Sequence, residues 1–295
     1  MPRLSLLTES TCVEARGADA ATFLHAQLSQ TIVAGAATSA PLAGWLDARG
    51  RVRALLRVWP LPDRWLLATP RDGADDLLKR LRMFVLRSAV TLRLADDVAL
   101  AALLDPTPDW LAAHGLAPAA VPGAVFARGE LRCLCVGAGY WQVLGPRSAV
   151  EAFAPDLDRV PPAAAALAEI RLGLPAITPP LVDRFVAQML NLDVLGATAF
   201  DKGCYPGQEI VARVHNLGDV KRRAHRYSTT AAPPAIGVAV TAAGGNVVGE
   251  VVRSAPTAEG CELLAVVDHA VANGALAIAG AALRELPLPF AVPRR

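Results

Sequence analysis

Lysine is nearly missing from this sequence: only Lys79, Lys202 and Lys221 occur, while arginine and alanine abound. That bias reads as GC-rich coding, and it makes a retained lysine such as Lys202 more noteworthy than most cations here. Charge as a whole is scarce, at 19% of residues with a formal net charge of +2. No global electrostatic pull toward nucleic acid follows, and no direct nucleic-acid partner is expected. Cysteine is sparse and odd in number: Cys12, Cys133, Cys135, Cys204 and Cys261. This excludes a disulfide framework and fits a reducing compartment. Long uncharged apolar runs are also lacking, although hydrophobic residues reach 53% and mean hydropathy is +0.36. A membrane helix needs about 18 or more such residues. The nearest stretch, 263–283, is interrupted by Asp268, His269 and Asn273, and the apolar residues at 4–7 are too few for a signal-peptide core. A cytoplasmic chain without membrane contact is expected. High hydrophobicity with little charge excludes a disordered chain.

Several chemical signatures are absent as well. There is no HExxH, no P-loop and no GxSxG. Gly137-Ala-Gly139 follows a strand, but the third glycine and helix start of a dinucleotide fingerprint are missing, so it reads as a hairpin turn. Cys133 and Cys135 share one face of a strand, with no second Cys/His pair at ligand spacing and no four-cysteine cluster pattern. They read as small buried residues. His25, His114 and His269 stand alone and read as surface or core fillers.

At ~150 residues per domain, 295 residues suggest two domains or three small ones. Strands and helices interleave without regular βαβ spacing, which indicates an α+β fold. A helix is expected near 20–28, a hairpin from Trp45 to Trp59 turning at Asp47-Ala-Arg-Gly50, and a helix over 74–86 capped by Asp72. Residues 161–170 read as either helix or strand. Beyond Tyr227, short β-rich runs between Gly, Pro and Asn turns indicate a small barrel or sandwich.

One segment resists explanation as packing alone: Phe200-Asp-Lys-Gly-Cys-Tyr-Pro-Gly-Gln-Glu-Ile-Val-Ala-Arg213. It compresses a thiol, an ammonium, a phenol, an amide, a carboxylate and a guanidinium. Pro206-Gly207 suits a type II turn, and Gln208 then starts a helix. Lys202 beside Cys204 would favour the thiolate. The alternative is a turn with a buried cysteine and a solvated charge cluster. The following stretch, 213–226, is rich in Lys, Arg and His, with Asp219 its single acid. It is either a solvated face or a seat for an anionic ligand.

Lys202-Gly-Cys-Tyr-Pro-Gly-Gln-Glu209 resembles the K-G-C-Y-x-G-Q-E hallmark of the YgfZ family, folate-binding-like proteins of iron–sulfur cluster assembly and repair and relatives of the glycine-cleavage T-protein. Further matches are spread along the chain: Gly17-x-Asp19 with Phe23-Leu-x-x-Gln-Leu-Ser29, the Asp47–Gly50 turn, Gly173-Leu-Pro175, Phe185-x-x-Gln188 with Asn191-Leu192, and Leu286-Pro-Leu-Pro-Phe290.

The resemblance implies a T-protein-like three-part α+β folate-binding fold with a C-terminal β-barrel. The expected parts are 1–45 plus 140–225, then 46–139, then 226–295. It implies an accessory protein for iron–sulfur clusters in client enzymes, tRNA-modifying ones included. The partners would be those clients or assembly proteins, and tetrahydrofolate would be the cofactor. Cys204 would be the working thiol. Lys202 and Arg213 would stabilise anionic species, and Gly203, Tyr205, Gly207, Gln208 and Glu209 would shape the motif. Gln188, Asn191, Glu169 and Arg223 would hold folate. The alternative is a folate-dependent one-carbon (aminomethyl or methyl) transferase.

Two departures from the relatives matter. The T-protein carries its catalytic acid in a G-G-x-x-D-D run, whereas the matching stretch here is Arg49-Gly-Arg-Val-Arg-Ala54, without a carboxylate. Where the family commonly has a pterin-holding glutamate stands Arg171, with Glu169 nearby as a replacement. Any folate would then be held more by its acidic tail, on Lys221, Arg222, Arg223 and Arg226, than by its pterin.

Loss of the acid removes the general acid/base of aminomethyl transfer. The chain combined with the other glycine-cleavage components is therefore expected to give no turnover above a no-enzyme control. Turnover at T-protein-like rates would refute this.

Overall fold

The computed structural model describes residues 1–35, 38–218 and 220–293; Asp219, the acid expected within the basic stretch, lies outside the described residues. In chain order the elements are β1 (Arg3–Leu6), β2 (Ser10–Arg16), α1 (Ala20–Gln27), β3 (Leu42–Leu46), β4 (Val52–Pro60), β5 (Trp65–Pro70), α2 (Arg71–Arg82), β6 (Thr91–Leu94) and β7 (Val98–Leu104). There follow α3 (Pro108–Ala113), β8 (Val125–Arg128), β9 (Leu131–Gly137), β10 (Tyr140–Pro146), α4 (Arg147–Glu151), β11 (Asp158–Arg159), α5 (Pro162–Arg171) and α6 (Gln208–Leu217). The chain ends in β12 (Arg222–Thr229), β13 (Ala239–Ala242), β14 (Val247–Thr257), β15 (Gly260–Asp268), β16 (Leu276–Ile278) and β17 (Ala281–Leu286). Helices and sheets are mixed, as an α+β fold requires. No helix among the described residues is long and apolar enough to cross a membrane.

The chain forms two compact units. The first comprises 1–25, 32–42 and 56–168. Its larger sheet runs β11-β1-β7-β10-β9-β8, and β5, β2 and β6 lie side by side in a second sheet with 57–60 of β4. Leu103, Cys133, Trp141, Val143 and Phe153 form one apolar core, and Cys12, Trp59, Leu66, Leu100 and Leu134 another. Burial pushes the thiols of Cys12 and Cys133 up to about 12 and about 11. They are inert packing residues, in line with the reading of Cys133 as a small buried side chain. The Gly139 turn does join β9 to β10 as an antiparallel hairpin.

Helix α2 departs from its expected span. It begins at Arg71 behind Pro70 and ends at Arg82, with no side-chain cap. Proline fixes the entry geometry, so Asp72 sits inside the first turn instead of capping it. Beyond Arg82 the chain unwinds through tight turns, and Met83, Phe84 and Leu86 are exposed. Their apolar spacing extends the helical pattern without burying anything.

The second unit comprises 26–31, 43–55 and 169–295. Its C-terminal part is a closed barrel, β12-β15-β14-β13-β16-β17, around Tyr227, Val240, Val251, Leu263, Ala265 and Leu276. Closure comes from β12 pairing with β17, Arg226 opposite Leu286. The barrel begins at Arg222, so the basic stretch 213–226 divides between α6 and the first barrel strand.

The units cut the chain elsewhere than the division 1–45 with 140–225, 46–139 and 226–295. The reason is non-local pairing. β1 is hydrogen-bonded to β7 and β11, which draws the N-terminus to residues 98–159. Val52 N donates to Phe185 O and Asp183 N to Val52 O, which draws 43–55 to the motif-bearing segment. Residues 161–170, open to either reading, are helical; the alanine run before Leu167 has high intrinsic helix propensity.

Candidate functional site

The motif loop is built on a glycine-to-glycine contact. Gly207 has φ 79° and ψ 0°, the geometry of the second central residue of a type II turn, as Pro206-Gly207 predicts. A Cβ there would lie 2.4 Å from Asp47 O and 2.7 Å from Gly50 Cα. Only glycine permits both the left-handed backbone and the close approach. Gly50 answers with φ 72°, and its own Cβ would meet Ile210 Cβ at 3.0 Å. The turn it closes is pinned by Asp47, whose Oδ1 accepts from Arg49 N at 2.9 Å and Arg51 N at 2.8 Å. The D-x-R-G turn and the hallmark are thus two halves of one contact.

On this base Cys204 is exposed, next to exposed Gly203 and ahead of buried Tyr205. It is the one cysteine here that is not buried. Lys202 is half-buried and donates to Leu28 O at 2.6 Å and Gln30 O at 3.1 Å, with its ammonium 5.1 Å from the centre of the Tyr205 ring. Burial pulls its pKa down to about 8, and burial likewise pushes Tyr205 up to about 12. Lys202 therefore clamps the loop to the segment after α1. Ser29 of that segment is fully buried; its hydroxyl donates to Ala197 O at 2.6 Å and accepts from Gly44 N at 2.8 Å.

After the turn, Gln208 opens α6 and donates from Nε2 to Lys202 O at 3.3 Å. Glu209 and Arg213 pair across one helical turn at 2.9 Å, both well exposed. Arg213 thus forms an ordinary i,i+4 surface pair, where the sequence suggests an anion-stabilising cation.

The residues expected to hold folate are largely committed elsewhere. Arg223 is 2% exposed and pairs bidentately with Asp193, both contacts at 2.9 Å. Asn191 has φ 57°, a left-handed position that asparagine tolerates, and its amide donates to Ala224 O at 2.8 Å. Glu169 lies on α5, not on a strand, and pairs with Arg253. Two residues apart on a helix do not share a face, so Glu169 does not stand in for the glutamate missing at position 171. Arg171 instead joins Arg226 on the carboxylate of Glu262, at 2.8 Å and 2.7 Å. Burial works against the Glu262 charge, but hydrogen bonds from the two guanidiniums hold its carboxyl below the usual range. Of the expected tail-binding cations, Arg223 and Arg226 are therefore engaged, while Lys221 and Arg222 are exposed.

Some polar atoms stay unsatisfied. Gln188 is 1% exposed and donates from Nε2 to Val211 O at 2.8 Å, yet its Oε1 is buried without a hydrogen-bond partner among the described residues. The same holds for Thr198 Oγ1 and Tyr205 Oη. Buried polar groups are paired as a rule, so these three atoms are exceptions.

Sequence reasoning missed Asp183. It has φ 61°, and its Oδ1 lies 3.0 Å from Arg53 Nε, while Arg53 also sits over the Trp45 ring at 5.6 Å. A carboxylate thus stands beside the stretch that lacks one in sequence. Nothing local in the sequence marks it, because the two residues meet only through folding. Ser29 could have been found, since it closes the Phe23–Ser29 match.

No protein-family model matches the chain. Its structure superimposes on the glycine cleavage system aminomethyltransferase T from Bartonella henselae with a TM-score of 0.77 and 18% identity, covering 99% of this chain and 87% of that one. The chain therefore has the T-protein fold. Among curated proteins it is 31% identical over 232 residues to the tRNA-modifying protein YgfZ of Edwardsiella ictaluri, covering 71% of this chain and 66% of that one. It is 25% identical over 228 residues to the protein of that name from Aliivibrio fischeri, covering 76% and 70%. The chain belongs to the YgfZ family.

Two outcomes follow. Gly207→Ala is expected to cost about 2–3 kcal/mol of stability from backbone strain and the clash with Asp47 and Gly50. Denaturant unfolding against wild type measures it; an unchanged midpoint would count against the contact. Glu262 has a depressed folded-state pKa, so its contribution is present above 4.5, the unperturbed value, and is lost as pH falls below it. The stability difference between wild type and Glu262→Gln should shrink on acidification through that range, as followed by thermal melts.

Proposed function

We propose that this chain is a cytoplasmic, folate-binding-like accessory protein for assembly or repair of iron–sulfur clusters in client enzymes, tRNA-modifying ones among them. Cys204 is its working thiol. The observation that carries this reading is the contrast in exposure: Cys204 stands in solvent on a loop held by Gly207 and Lys202, while the other four cysteines are buried. An exposed thiol on a braced loop can take part in iron or sulfur exchange with another protein, which a buried one cannot. Its partners are the client enzymes or the proteins that assemble clusters. The relatives' designation as tRNA-modifying proteins supports a role in tRNA modification through such clients.

The residues that fit tetrahydrofolate are neutral. Gln188 Oε1, Thr198 Oγ1 and Tyr205 Oη offer hydrogen-bonding capacity that the chain itself leaves unused. A buried polar atom without a partner costs about 1–3 kcal/mol, which a ligand would recover. Glu169, Asn191 and Arg223 are instead engaged with Arg253, Ala224 O and Asp193. Bound tetrahydrofolate supplies a reduced ring with N–H donors and an acidic tail.

The transferase alternative is less supported. Asp183 is the carboxylate available near Arg53, and its Oδ1 already accepts from that guanidinium.

Cys204→Ala and Tyr205→Phe separate these roles. In cells lacking the endogenous homologue, Cys204→Ala is expected to fail to restore an iron–sulfur client's activity, while the purified variant binds tetrahydrofolate like wild type. Full restoration by Cys204→Ala would overturn the thiol's role. Tyr205→Phe should weaken tetrahydrofolate by roughly 5- to 150-fold, the equivalent of one lost buried hydrogen bond. Unchanged affinity would remove Tyr205 from the folate site.

A further inference from the structure

At the barrel, two histidines far apart in sequence meet. His225 is on β12, 7% exposed, and His269 follows β15. His225 Nε2 lies 3.3 Å from His269 Nδ1, and the two rings stand nearly perpendicular, at 81°. On the other side of the His225 ring, Nδ1–H donates to Glu285 Oε1 at 2.9 Å. Both rings, with Glu285 and Asn273, line a cavity of about 380 Å³ whose further walls include Leu288 and Phe290.

We infer that the His225–His269 pair is a binding site for a divalent late first-row transition ion, with zinc the cellular candidate. Three features carry this. Two nitrogens each ~2.0–2.1 Å from a tetrahedral zinc lie roughly 3.3 Å apart, the separation found here. The Glu285 carboxylate fixes the His225 tautomer, so that Nε2 carries the lone pair and faces His269, the carboxylate–histidine arrangement that orients metal-bound imidazoles. The cavity leaves room for water or another ligand at the remaining positions. Among the described residues no three His, Cys, Asp or Glu side chains gather for a metal, so the site is a two-histidine one with open positions. In the metal-free state the proton between the rings sits on His269 Nδ1. Binding moves it to Nε2 of the same ring, and no net proton is released. The pair of imidazoles favours zinc, copper or nickel over calcium or magnesium, which take oxygen ligands.

The test uses the full chain carrying Cys204→Ser, so that the exposed thiol contributes nothing. Calorimetric titration with zinc should give one ion per chain, and copper(II) bound at the same site should show an electron paramagnetic resonance signal split by two imidazole nitrogens. His269→Ala should weaken zinc at least tenfold and remove one nitrogen coupling. Glu285→Gln should weaken it about 10- to 100-fold with both couplings kept, the usual effect of losing a supporting carboxylate. If His269→Ala does not fold, the Glu285→Gln titration and the wild-type copper spectrum decide. Zinc affinity unchanged in the soluble variants, a copper signal without two-nitrogen splitting, or no saturable binding would each overturn the site.

Discussion

The contact between Gly50 and Gly207 is the constraint on which the motif-bearing unit depends. Both glycines are left-handed; a Cβ on Gly207 would strike the backbone of Asp47 and Gly50, and one on Gly50 would press on the Ile210 side chain. Through it a turn at residues 47–50 and a turn at 205–208 become one structure, and everything that follows is placed by it. Cys204 precedes the contact and α6 begins at it. Lys202 then ties the loop to the carbonyls of Leu28 and Gln30, and Ser29 locks that segment to Gly44 and Ala197. The thiol at the head of this loop is exposed.

Charge in this unit is turned inward on the chain itself. Arg223 holds Asp193, Arg171 and Arg226 share Glu262, Arg253 holds Glu169, and Arg53 holds Asp183. Burying an unpaired charge costs far more than burying a paired one, which fits the buried Arg223 facing Asp193 and the largely buried Arg253 facing Glu169. A chain with few charged residues thus uses its buried ones to hold its own segments together.

The cysteines divide by the same logic of environment. Cys12, Cys133, Cys135 and Cys261 sit in apolar cores, where burial raises their pKa values and keeps them as neutral thiols. Cys204 shares none of that surrounding. Identical side chains thus take packing or chemical roles according to whether water reaches them.

The sequence by itself determined the mixed α+β character, the hairpin at Asp47–Gly50, the type II turn at Pro206-Gly207, the start of α6 and the β-rich C-terminus. These rest on local physics: alternation, proline and glycine conformations, and helix periodicity. The family was legible too, because its hallmark is an uninterrupted octapeptide. Tertiary structure alone decided the rest. It ended α2 at Arg82, where an apolar pattern continues but burial does not. It made 161–170 a helix, and so separated Glu169 from Arg171. It assigned Lys202, Arg213 and Arg223 to carbonyls and carboxylates, brought Asp183 to Arg53 and His225 to His269, and divided the chain into units across its sequence order. Apart from the Arg213–Glu209 pair, which lies within one helical turn, these depend on partners distant in sequence or on which face meets a core, and chain proximity carries no information about either.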